Sequence, residues 1–187
     1  MRISGGTEKG RKIIFKKSFF KKGSNELRPT SAKVRKAIFD IIGEDIIDSV
    51  FLDLYAGTGA VGLEALSRKA KEVIFVDNSL NRVKIIREIL ERYRLKERAL
   101  VIKDVARNFL KKTEMIFDII FLDPPYDSNE LEVVLPIISG SDILREKGIV
   151  IAEHSSKQQL SSLKGLILKK SYRYGDTSLS VFRKDKV

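Results

Sequence analysis

Val50-Phe51-Leu52-Asp53-Leu54-Tyr55-Ala56-Gly57-Thr58-Gly59-Ala60-Val61-Gly62 is the stretch that decides the fold of this 187-residue chain. Its apolar beginning, Val50–Tyr55, reads as a strand, and the run over Ala60–Lys69 reads as a helix. Between them Gly57 allows a tight turn, and Gly59 lets backbone approach a ligand with no Cβ in the way. Strand, glycine turn and helix in this order make the first half of a βαβ unit.

The alternation continues downstream. Glu72–Asp77 reads as the next strand and Ser79–Tyr93 as a helix, with Leu80, Val83, Ile86, Leu90 and Tyr93 recurring every three or four residues. Ala99–Lys103, Ile116–Leu122 and Gly148–Ala152 add strands, with helices over Ala106–Lys112 and Asn129–Ile138. The pattern predicts an α/β fold with a doubly wound, mostly parallel sheet. Gly165–Tyr172 and Ser178–Arg183, joined at Tyr174-Gly175-Asp176, read as a terminal antiparallel hairpin that completes a seven-stranded sheet.

Upstream, Leu27-Arg28-Pro29-Thr30 reads as a loop leading to a helix capped by Ser31 and stopped by Gly43, with Val34, Ala37, Ile38, Ile41 and Ile42 at helical spacing. Residues 1–36 carry twelve Lys and Arg against two Glu, a net of +10; the rest carries 24 basic against 23 acidic side chains, a net of +1. Such a basic arm is the electrostatic footprint expected for a polyanion, the bland alternative being a solvated tail. Ile3, Ile13, Ile14, Phe15, Phe19 and Phe20 interleave with the charges and predict short strands or a small packed unit. The chain thus divides into a basic N-terminal extension, 1–43, and a body, 44–187.

No cysteine is present, which excludes disulfides, thiolate metal sites and a cysteine nucleophile, and suits a cytoplasmic protein. No apolar run approaches the roughly 18 residues of a membrane span, and no signal-peptide core follows the basic start. The only histidine, His154, has no partner cluster for a metal and reads as structural or peripheral; Glu153 beside it reads as helping to line the active cleft. A monomer without metal is expected.

Ligands of open α/β sheets sit beyond the carboxyl ends of the strands, where the glycine turn lies. Asp77 closes the second strand, suited to ribose hydroxyls, and Asp104 closes the third, suited to an adenine amine. Gly57, Gly59 and Gly62 with Asp77 also satisfy the dinucleotide fingerprint, so a nicotinamide dehydrogenase stays open on this motif alone. Asp53 speaks against it, because it suits an amino group and repels a pyrophosphate.

The fourth strand ends in Asp123-Pro124-Pro125-Tyr126. Two prolines stiffen the chain and remove two backbone donors, leaving acceptors for a ligand. Asp123 and the Pro124 carbonyl can accept both hydrogens of a planar amine, while Tyr126 offers a face for stacking. An exocyclic amine is a poor nucleophile because its lone pair is delocalised; gripping its hydrogens favours a pyramidal nitrogen aimed at a methyl sulfonium. The base must leave its stack to enter such a corner.

Taken together these motifs resemble the class I S-adenosylmethionine-dependent methyltransferases, with their Rossmann-like fold. More narrowly, Arg2-Ile3-Ser4-Gly5-Gly6, Lys9-Gly10-Arg11-Lys12, Leu27-Arg28-Pro29-Thr30, Val34-Arg35, Phe39, Asp53–Gly62 with Leu63-Glu64-Ala65-Leu66-Ser67-Arg68, Asp123–Tyr126 and Tyr174-Gly175-Asp176-Thr177 resemble the bacterial ribosomal small-subunit methyltransferase D family. The resemblance spans essentially the whole chain, with the lysine-rich Phe15–Ser24 as a departure. It implies methylation of the N2 amine of a guanine in 16S rRNA of an assembling 30S particle. Asp123, where adenine-specific relatives usually have Asn, agrees with guanine. By the same resemblance Asp53, Tyr55, Ala56, Gly57, Thr58, Gly59, Asp77, Asn78, Asp104 and Val105 would line the S-adenosylmethionine site. Arg2, Lys9, Arg11, Lys12, Arg28, Thr30 and Arg35 would meet RNA. The same amine chemistry on adenine or cytosine in DNA or another RNA, and a non-catalytic RNA-binding module, are the other readings.

Overall fold

A computed structural model describes residues 1–14, 30–126 and 128–185. The body alternates as expected: α1 (Ala32–Ile42), β1 (Val50–Asp53), α2 (Ala60–Ser67), β2 (Glu72–Asp77), α3 (Leu80–Arg92), β3 (Ala99–Lys103), α4 (Ala106–Lys112), β4 (Phe117–Leu122), α5 (Glu130–Ser139), β5 (Leu144–Ser155), β6 (Leu166–Tyr174) and β7 (Thr177–Lys184). The seven strands lie in the order β3-β2-β1-β4-β5-β7-β6. The first five are parallel, and β7 pairs antiparallel with both β5 and β6. The chain order reverses beside β1, which opens a ligand crevice at the carboxyl ends of β1 and β4.

Side chains alternate across each strand, so the sheet sorts its residues into two cores. Phe51, Phe75, Phe121 and Ile151 face α1, α2 and α3, whereas Leu52, Ile74, Ile120 and Val150 face α4 and α5. Helix α1 starts where Ser31 accepts from the Val34 N–H, at 3.2 Å, as an N-cap should. Ser79 caps α3 in the same way. The third glycine of the loop has a packing role: a Cβ on Gly62 would stand 2.2 Å from the Phe75 ring. Glycine there lets α2 lie flat on β2.

Several boundaries differ from the sequence reading: α2 ends two residues earlier, at Ser67, and β6 two residues later, at Tyr174. Strand β1 ends at Asp53, although Leu54 and Ala56 still donate to the Phe121 and Val76 carbonyls. Strand β5 begins at Leu144, because its polar run Arg145-Glu146-Lys147 crosses a register shift against β4, with Lys147 at φ 61°. Sequence patterning sees such a bulge as a strand start.

Residues 1–14 double back on themselves, with an antiparallel bridge between Arg2 and Lys12. Ile3 and Ile13 are buried in the same core cluster as α1 and β1. The hairpin is fastened to α2: Ser67 accepts from Glu8 N–H and Thr7 N–H and donates to the Gly5 carbonyl. Phe15, Phe19 and Phe20 lie outside the described residues.

Candidate active site

Strand register places four carboxyl groups on one face at the carboxyl ends of adjacent strands. Asp77, Asp53, Asp123 and Glu153 each follow by two the core residues Phe75, Phe51, Phe121 and Ile151, so pleating turns all four to the α1–α3 side. Asp53 pairs with Phe75 and with Phe121, whereas Leu122 pairs with Ala152. Asp53 therefore sits one pleat repeat, about 6.6 Å, below Asp77 and Asp123. Asp123 stands level with Glu153.

That depth decides what Asp53 does. It is 1% exposed, and its Oδ2 accepts from the Gly62 N–H at 3.0 Å, bracing the glycine loop from beneath. Burial, then the charges of Asp123 and Asp77, push its carboxyl up to about 7 against the help of that backbone donor. Asp53 was expected to face a ligand amine directly; here it forms the floor of the crevice.

Asp77 holds the rim. Its Oδ2 accepts from Gly57 N–H at 2.9 Å and its Oδ1 from Ser79 N–H at 2.8 Å, with the Arg82 guanidinium at 3.5 Å. Gly57 and Gly59 both have positive φ, 53° and 74°, and Gly59 leads directly into α2. Asp104 accepts from the Val105 N–H and its own N–H donates to the Asp77 carbonyl, joining the ends of β2 and β3. Thr58, Asn78, Asp104 and Val105 stay partly or fully accessible along this edge, while Ala56 is buried. Tyr55 turns toward α5, where its hydroxyl donates to Glu130 at 2.9 Å; burial and that carboxylate raise its pKa.

The proline corner adjoins this edge across β1 and β4. Asp123 is half-buried, and its Oδ2 accepts from the Thr30 hydroxyl at 3.5 Å. Burial raises its pKa, opposed by that hydroxyl. Pro124 is buried and Pro125 exposed, its carbonyl taken by Ser128. The Tyr126 ring is 46% exposed, but its hydroxyl is anchored, 2.6 Å from Thr177 Oγ1 and 3.3 Å from Glu153 Oε1. Burial pushes that hydroxyl up to about 12. Thr177 is the site residue that sequence reading passed over, whereas Glu153 was read as lining the cleft but without its contact to Tyr126. The only available signals were the family resemblance at Tyr174–Thr177 and the position of Glu153 on the fifth strand. His154 points into the opposite core, with Nε2 2.7 Å from Ser180 Oγ and Nδ1 2.9 Å from the Ser155 carbonyl. Burial lowers its pKa, which suits a neutral structural imidazole.

The residues expected to meet RNA separate into three groups. Arg2, Lys9, Arg11 and Lys12 are exposed on the hairpin, Arg11 pairing with Glu8 and lying 4.6 Å over the Tyr93 ring. Thr30 reaches Asp123 in the proline corner instead of an outer surface. Arg35 needs correction: it is 3% exposed, its Nη2 donates to the Arg2 carbonyl at 2.9 Å, and its Nε lies 3.5 Å from the fully buried Glu64 carboxylate. A phosphate cannot reach it there. Arg28 lies outside the described residues.

This geometry has close relatives. The family described as conserved hypothetical protein 95 matches residues 1–183. YlbH of Bacillus subtilis is 34% identical over 188 residues, covering 98% of this chain and 99% of that one. Ribosomal RNA small subunit methyltransferase D of Haemophilus influenzae is 29% identical over 98% of this chain and 93% of its own length. Among solved structures, yhhF of Escherichia coli superposes with a TM-score of 0.86 at 25% identity, covering 100% of this chain and 99% of that one. The chain belongs to the conserved hypothetical protein 95 family, that of the ribosomal RNA small subunit methyltransferases D.

Proposed function

We propose that this chain transfers a methyl group from S-adenosylmethionine to the exocyclic N2 amine of a guanine in 16S rRNA, acting as a cytoplasmic monomer on an assembling small-subunit particle. The observation that carries this reading is the acidic row. Asp53 and Asp123 lie at the carboxyl ends of β1 and β4 beside the glycine loop, and neither meets a lysine or arginine in the ion pairs among the described residues. A cleft of unpaired acids favours a cationic ligand and repels a pyrophosphate, which speaks against a nicotinamide dinucleotide. S-adenosylmethionine supplies an electrophilic methyl on a cationic sulfonium, so the donor set fits it.

In this reading Asp77 and Asp104 at the rim receive the ribose hydroxyls and the adenine amine, while Gly57 to Gly59 offer bare backbone. Asp123 and the Pro124 carbonyl accept the two hydrogens of the target amine, and Tyr126 stacks against its ring. After transfer the nitrogen sheds a proton, which the Asp123 carboxylate can take. The curated relatives named ribosomal RNA small subunit methyltransferase D favour rRNA as the substrate class. Arg2, Lys9 and Lys12 on the extension, 1–43, would touch phosphates, with chemistry left to the body, 44–187.

Tritiated methyl transfer to small-subunit particles lacking the modification, followed by mapping of the labelled base, tests this. N2-methylguanine is the expected product, and methylated adenine would move the reading to the adenine amine. Asp123→Ala should lower transfer by about a hundredfold, as expected on losing an acceptor that orients the reacting group, while cofactor affinity stays within a factor of about two. No label with the wild-type chain would end the proposal.

A further inference from the structure

Glu153 is buried, 5% exposed, and its Oε2 has no hydrogen-bond partner among the described residues. A carboxylate in that position is costly, because its charge has left water and met neither a cation nor a full set of donors. The groups facing it add to the cost. Asp123 stands level with it across β4 and β5, Asp53 lies one pleat below Asp123, Tyr126 approaches from the loop, and β7 opposes it with Leu179. His154, next along β5, turns to Ser180 on the other face. Burial and the Asp123 charge both push the Glu153 carboxyl up.

Two buried carboxyls this close do not both ionise, so the pair retains a proton. Asp123 is the more accessible of the two and accepts from the Thr30 hydroxyl, which favours its charged form. The proton therefore falls to Glu153. The Tyr126 hydroxyl has one hydrogen and lies 2.6 Å from Thr177 Oγ1, where either hydroxyl can be the donor. An ionised Glu153 can only accept from the Tyr126 hydroxyl, 3.3 Å away, whereas a protonated Glu153 can donate to it once the Tyr126 hydrogen is directed to Thr177.

We propose that Glu153 serves the active site as a neutral acid, a positioning residue that donates to the Tyr126 hydroxyl to hold the stacking ring and leaves Asp123 as the ionised acceptor. The inference rests on reading Asp123–Tyr126 as the corner that holds the base. It also accounts for the bare Oε2, which in a neutral acid is a carbonyl and far cheaper to leave unpaired than a charged oxygen. Sequence alone gives no hint of it, since the pairing exists only through the register of β4 on β5.

Methyl transfer by the full chain, measured against pH for wild type, Glu153→Ala and Glu153→Gln, tests the assignment. Wild-type kcat/KM for RNA should decline on the alkaline side as Glu153 loses its proton. Glu153→Ala should raise KM for RNA roughly tenfold, the worth of one or two neutral hydrogen bonds, with cofactor affinity unchanged. Glu153→Gln, neutral at every pH and still a donor, should recover most of that loss and show no alkaline decline. A Gln variant as impaired as the Ala variant, or one that keeps the decline, overturns the proposal. So do variants that merely melt earlier, with KM and pH profile unmoved. A wild type that binds cofactor yet methylates no RNA overturns the base corner itself, which the variant comparison does not.

Discussion

Asp53 and Asp123 are the same side chain on neighbouring strands, two residues apart in depth, and that difference separates a buried brace from a carboxyl open to the crevice. Asp53 is lifted from its ordinary 3.8 to about 7 by burial. Between those pH values the native state holds a proton that the unfolded chain has lost, so this residue's contribution to stability falls as pH rises through the window. Asp53→Asn has no proton to lose and can still accept from the Gly62 N–H. Thermal unfolding without cofactor should therefore show the variant gaining a few degrees relative to wild type between pH 5 and pH 8. A constant difference across that range would refute the assignment. The identity of all three acids at the glycine loop was legible in the sequence, but their depth was not, because depth depends on how strands register. Arg35 was legible and misread. It stands at i, i+3, i+4 and i+7 with Ile38, Phe39 and Ile42, inside the apolar stripe of α1, where a charge must bring its own partner.

At the scale of elements, hydrophobic period and glycine placement were enough to locate the seven strands and five α-helices among the described residues, since parallel strands buried on both faces read as continuous apolar runs, though not the 3₁₀ turns Gly43–Ile46 and Lys96–Arg98. What they missed were features that another element imposes. The register shift of β5 against β4 is one, and the seat of α2 on β2 is another. A methyl group at Gly62 would press on Phe75, so Gly62→Ala should cost about 1–3 kcal/mol in chemical denaturation, the usual range for overpacking a core. Adding Phe75→Leu should return part of that loss, because it removes the ring atoms in the way. Simple additivity of the two changes would show that the contact does not limit packing. Tyr126 makes the same point at the site: its place at the end of the fourth strand was legible, but its anchor on Thr177 comes from a hairpin fifty-one residues downstream.

Across the whole molecule, the basic extension is tied to the body at a buried carboxylate as well as at Ser67. Glu64 accepts from the Ser4 N–H at 2.9 Å, the Ser4 hydroxyl at 2.7 Å and the Arg68 Nε at 3.0 Å, with Arg35 beside it. Two stretches that the sequence shows only as separate matches to one family are thus the two halves of one joint. Glu64→Ala would strand the Arg35 guanidinium in the core, a loss of roughly 3–5 kcal/mol when one partner of a buried pair is removed. Glu64→Gln should be milder in stability. In both, proteolysis should cut residues 1–14 sooner, and RNA affinity should fall with a shallower dependence on salt, cofactor affinity holding. Unchanged salt dependence would detach the hairpin from RNA binding. The insertion of β7 between β5 and β6 has a consequence in time. A ribosome making this protein delivers the glycine loop and the proline corner first, and Thr177 only near the end of the described chain. A nascent chain released short of β7 would retain the whole parallel half yet have nothing to moor its aromatic ring, so methylating competence arrives with the closing strand of synthesis.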